Sequence, residues 1–148
     1  MDNTALRQET ISSFKDYHNS RFSYIYYNPD IKTIVCELKA EYVPIEHFKD
    51  TFYKVSELVE AGNNYKFIFD KRSLRAFHQP SMEWYYIVWK KDMYQKGLKV
   101  HRKILPDEPW FKKSVSIAKD QISRENKDSV IDKLDIKYCD SVEEAIEK

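Results

Sequence analysis

Glycine is nearly missing from this chain: Gly62 and Gly97 are the only two among 148 residues. A phosphate-cradling loop or a dinucleotide fingerprint needs several glycines close together, so nucleotide binding of those types is excluded. Cysteine is as rare, with Cys36 and Cys139 far apart in apolar, strand-like runs. Secreted domains of this size often carry disulfides, so both are expected to stay lone buried thiols. Neither stands near a second cysteine, and His18, His47, His78 and His101 show no metal-type spacing. No metal site is expected. Charge of one sign is missing too: 25 basic residues face 24 acidic ones, a net charge of +1. No global field therefore favours nucleic acid or an anionic membrane. No apolar run approaches the ~20 residues of a membrane span. The polar opening MDNTALRQETISSF lacks the apolar core of a secretion signal. A cytoplasmic protein with no membrane span is expected.

Hydrophobic residues make up 42% and aromatics 15%, enough for one domain with its own core. RFSYIYYNPDIKTIVCEL reads as a hairpin, with strand formers on either side of the turn residues Asn28, Pro29 and Asp30. A helix is expected from about Pro44 to Ala61, its apolar face marked by Ile45, Phe48, Phe52, Val55 and Val59. YKFIFD (65–70) is a short apolar run between helices, as a buried parallel strand would be. A second helix is expected over 80–96, carrying Met82, Tyr85, Trp89 and Met93 along one stripe. In LKVHRKIL (98–105), Leu98, Val100 and Ile104 alternate with basic residues, which predicts one inward and one solvated side. A third helix follows over 109–125, then a loop at RENKDS and a last strand at LDIKYC (134–139). Ser141 with Glu144 three residues on is a capping box for a terminal helix. Gly62 and Gly97 sit where left-handed residues close helices. The order β-β-α-β-α-β-α-β-α implies a mixed, mainly parallel sheet with an antiparallel N-terminal hairpin and helices packed on it. Residues 1–20 read as an extension, either a frayed helix or an extra edge strand, and 21–148 as a single domain.

YYNPDIKTIVCELKAEYVPIEHFKDTF, YKFIFDKRSL and YCDSVEEAIEK together resemble the STAS-like, or SpoIIAA-like, α/β fold, in particular small bacterial STAS/SEC14-like proteins. The resemblance covers roughly residues 20 to 148. It implies a non-enzymatic regulatory or ligand-holding domain. In phospho-switched members the strand-to-helix junction reads Asp-Ser-Ser-Gly; here the matching place is His78-Gln79-Pro80-Ser81-Met82, with Ser81 at or beside the modified position. The aspartate, the first serine and the glycine of that motif are absent, which argues against a kinase-driven switch.

The junction FDKRSLRAFHQPSMEW (69–84) holds the candidate site. Asp70, Lys71, Arg72 and Arg75 lie at the carboxyl end of the central strand, where open parallel sheets tend to bind ligands, and with His78 and Ser81 they form a candidate regulatory or ligand surface. Ser81 also fits an ordinary first-turn residue of a proline-initiated helix. No catalytic constellation is found: Cys36 is mid-strand, no serine occupies a nucleophile elbow, and Glu37 and Glu41 are unremarkable acids. No cofactor is expected. The aromatics Trp84, Tyr85 and Trp89 exceed one helix face. They predict a helix tucked into the core, a partner surface leading to a homodimer, or a wall around an apolar, lipid-like ligand. Binding of a protein partner or of a second copy is the leading expectation, and carriage of an apolar ligand the alternative.

Overall fold

The computed structural model describes residues 13–148. Six strands form one sheet in sequential order: β1 (Lys15–Asn19), β2 (Ser23–Asn28), β3 (Thr33–Leu38), β4 (Lys66–Asp70), β5 (Val100–Ile104) and β6 (Asp135–Tyr138). β1, β2 and β3 pair antiparallel; β3 to β6 pair parallel. The hairpin turn falls at the expected place, where Asn28 Oδ1 accepts the Asp30 N–H at 3.0 Å. Part of the segment read as an extension is the edge strand β1, the second of its two readings; residues 1–12 lie outside the described residues.

Three helical crossovers join the parallel strands: α1 (Ile45–Glu60), α2 (79–95) and α3 (Pro109–Glu125). Because each crossover advances one strand in the same direction with the same hand, all three helices fall on one face of the sheet. There Phe48, Phe52 and Val55 of α1 meet Phe67 and Phe69 of β4, Tyr85 and Trp89 of α2, and Phe111 and Val115 of α3. Pro44 stands one residue outside α1, as its N-cap. Gly62 and Gly97 end α1 and α2 with φ of +106° and +97°, a region that favours glycine.

The opposite face carries a smaller core of Val35, Ile68, Ile104 and Cys139, closed by Ala145 of the short helix α4 (Val142–Glu147). Cys36 and Cys139 therefore sit in different cores, both buried and free. The capping box forms: Ser141 Oγ accepts the Glu144 N–H at 3.1 Å, and Glu144 in turn accepts the Asp140 N–H at 2.8 Å. At the other end of α4, Lys66 donates to the carbonyls of Ala145 and Ile146, and Arg102 to that of Lys148. Cations there satisfy orphan carbonyls and favour the negative end of the helix dipole.

β5 departs from the expected half-solvated pattern. His101, Arg102, Lys103 and Ile104 are all buried. A parallel strand with neighbours on both edges and layers on both faces has no solvated side. Its alternation still holds, but it sorts residues between two interiors. His101 and Lys103 point to the helices, Arg102 and Ile104 to the α4 side.

Phe52 is fully buried among the rings of Phe48, Phe67, Phe69, Tyr85 and Trp89. Phe52→Ala is expected to cost about 3–5 kcal/mol in urea unfolding, whereas truncating the half-exposed Trp110 should cost less than about 1 kcal/mol.

Candidate functional site

The second helix is not uniform. α-Helical turns at Gln79–Glu83 and Lys90–Gln95 flank a π-helical segment, Trp84–Trp89. Such wide turns often occur at functional sites. Here the segment turns successive pairs inward: Tyr85 with Tyr86, and Trp89 with Lys90, all at 2% exposure or less. Trp89 is core: its indole N–H donates to the Phe52 carbonyl and to Ser56 Oγ, and its ring stacks on Tyr85 at 5.5 Å. Trp84 lies further out, edge-on to Tyr53, beside an open groove between α1 and α2 that also meets Val88.

The cavity that gathers several of the expected site residues lies elsewhere, beneath the loop from β4 to α2. It measures about 50 Å3. Leu38, Val43, Phe48, Phe69, Leu74, Phe77, Met82 and Phe111 make it apolar; Lys71, His78, Ser81 and the Tyr85 ring bring the polar groups. The loop is held over it by backbone bonds from Leu74 N–H to the Lys71 carbonyl and from Arg75 N–H to the Glu41 carbonyl. A larger depression of about 620 Å3 runs between Arg21 and Glu57, but it is an open, charged groove.

The expected site residues thus divide. His78, Ser81 and Tyr85 come together in the cavity. Ser81 is buried; its hydroxyl lies 2.8 Å from His78 Nδ1, which also accepts the Ser81 N–H at 3.4 Å, so the pair closes on itself as a helix cap. Asp70, Arg72 and Arg75 face away. Asp70 takes a two-pronged ion pair from Arg72, and Arg75 donates to the carbonyls of Arg72 and Leu74. Lys71, between them, is the residue that turns inward.

Lys71 is 5% exposed, and its ammonium has no hydrogen bond or ion pair among the described residues; the Phe69 ring is its neighbour at 5.1 Å. Burial pushes it down to about 8. Behind Tyr85 stand two more buried lysines. Lys90 and Lys103 lie over the rings of Tyr85 and Tyr86, between 4.1 and 5.2 Å from their centres. Lys103 hydrogen-bonds to Tyr86 Oη, and Lys90 lies 3.1 Å from His101 Nδ1. Burial, then mutual repulsion with neighbouring lysines, holds both well below the ordinary lysine range, and burial with the same lysines lowers His101. Among the described residues no carboxylate pairs with any of the four. The Tyr85 hydroxyl is buried without a hydrogen-bond partner, and burial raises both tyrosines. No group of histidine, cysteine and acidic side chains that could hold a metal occurs among the described residues, and none of their helices is long and apolar enough to cross a membrane.

No family model, curated protein or solved structure matches the chain. Its function has to be read from these side chains.

The buried amines make an unusual prediction. Lys71 loses its proton at about 8 when folded and near 10.5 when unfolded. Between those values the unfolded chain binds more protons, so stability rises with pH across that window. Lys90 and Lys103 act in the same direction, and the raised tyrosines oppose it only above about pH 10. Urea unfolding should therefore show a gain of about 2 kcal/mol from Lys71 alone between about pH 7 and pH 9.5, and Lys71→Met should remove that part of the slope.

Proposed function

We propose that this protein is a non-enzymatic domain that binds an apolar small molecule in the cavity beneath residues 71–78, as a carrier or sensor. The observation that carries the reading is the cavity itself: an apolar lining with a few converging polar groups, at the carboxyl ends of β3 and β4. The self-contained His78–Ser81 cap, with no carboxylate beside His78 among the described residues, supports binding rather than acyl transfer. The same burial of Ser81 weighs against a phosphorylation switch there. The resemblance to STAS-like and SpoIIAA-like domains agrees with a regulatory, ligand-holding role.

Recognition of a protein partner, or of a second copy, is the second reading. It now rests on the groove between α1 and α2, where Tyr53 and Val88 are each more than half exposed, since Tyr85 and Trp89 point into the core.

Titration of the 13C-methyl-labelled protein with 1-propanol should shift the signals of Leu38, Val43, Leu74, Ala76 and Met82 together, with a millimolar or tighter Kd. Ala76→Trp, which fills the mouth, should abolish the shifts. Unchanged methyl signals, together with a concentration-dependent dimer in sedimentation, would move the function to the α1–α2 groove.

A further inference from the structure

The cavity's chemistry narrows the class of its occupant. Resting on the cavity reading, we propose that the molecule bound there is a small organic acid, its single carboxylate paired with the Lys71 ammonium and its short apolar body among Leu38, Val43, Phe48 and Met82.

Three observations carry this. First, Lys71 brings the cavity a buried amine with no partner but an aromatic face. Burial lowers it to about 8, so at neutral pH it is still mostly an ammonium ion. A buried ammonium without a counter-charge is costly, and an anion removes that cost. Second, the described residues supply no such anion. Asp70, next in sequence, is committed to Arg72, and it shares the far face of the sheet with its register neighbour Glu37. Third, Lys90 and Lys103 beyond Tyr85 have no carboxylate beside them among the described residues, so no neighbouring acid is at hand to reach Lys71. A cationic ligand would be repelled, and a neutral one would leave the Lys71 charge unpaired.

The acid must be small and singly charged. One lysine lines the cavity, and the other lining groups able to hydrogen-bond are His78, Ser81 and the Tyr85 and Tyr42 hydroxyls. A phosphate group would need several charge-assisted donors to replace its water. A volume of about 50 Å3, a third of the ~150 Å3 that holds a benzene ring, suits an acid of about two or three carbons. The unpartnered Tyr85 hydroxyl is a candidate second donor to the carboxylate.

Calorimetric titration near pH 7 with propionate, propionamide and 1-propanol tests the proposal. Propionate is expected to bind at least tenfold more tightly than either neutral analogue. Lys71→Met should cost propionate at least tenfold while leaving 1-propanol within about twofold. Lys71→Gln, which keeps a donor but not the charge, should behave like the methionine variant, and circular dichroism checks that both fold. Equal binding of propanol and propionate, or propionate binding that ignores both substitutions, would overturn the acid assignment and leave the cavity reading standing. If none of the three compounds binds at millimolar concentration, the cavity reading falls and the acid assignment with it.

Discussion

Everything unusual about this molecule follows from β5 being buried on both faces. A central parallel strand between a helical layer and a second cover must place every side chain in one interior or the other. The sequence of β5 is VHRKI, so each interior receives basic groups. The far side answers with partners: Arg102 meets Asp135 and the carbonyls at the end of α4, and Lys66 on the adjoining strand does the same. The helical side answers with aromatic faces, the Tyr86 hydroxyl and an imidazole. The cations of one face have oxygen partners, and those of the other have almost none among the described residues.

That asymmetry connects fold to function. Sequential strand order puts α1, α2 and α3 on the same face, so their large side chains pack one aromatic core over β3 to β5. The π-helical segment of α2 presses Tyr85 and Tyr86 between the Lys90–Lys103 pair and the cavity. Buried amines without counter-ions reduce stability, and perturbed ionisable groups beside a cavity tend to mark functional sites. An anionic occupant supplies what the chain omits.

Much of the fold is legible in the sequence. The hairpin, the three long helices, the capping box and the helix-closing glycines follow from turn chemistry and apolar spacing, which are local. The candidate site is legible in part. His78, Ser81 and Tyr85 are found because a helix start after a central strand is a general place to look. Asp70, Arg72 and Arg75 appear alike in sequence, but alternation along β4 sends Asp70 and Arg72 away from the cavity and Lys71 into it, while Arg75 is held by the loop's own carbonyls. His101 and Lys103 are missed because period-2 spacing does not say whether the second face of a strand is covered, and Lys90 because a charged residue on a helix is expected on its solvated side. Two signals do point to them. Lys90 falls four residues after Tyr86 and three before Met93, inside the apolar stripe. KVHRK also occupies a strand that the helix–strand alternation places in the parallel part of the sheet.

The central claim is that Lys71, Lys90 and Lys103 are buried on the helical side without a counter-charge among the described residues, and lysine 13Cε chemical shifts followed from neutral to alkaline pH test it most directly. Their resonances should stand apart from those of the exposed lysines, with Lys71 titrating at about 8 and Lys90 and Lys103 well below the ordinary lysine range. If every lysine instead titrates together near 10.4, these amines are solvated or paired, and the account of the site fails.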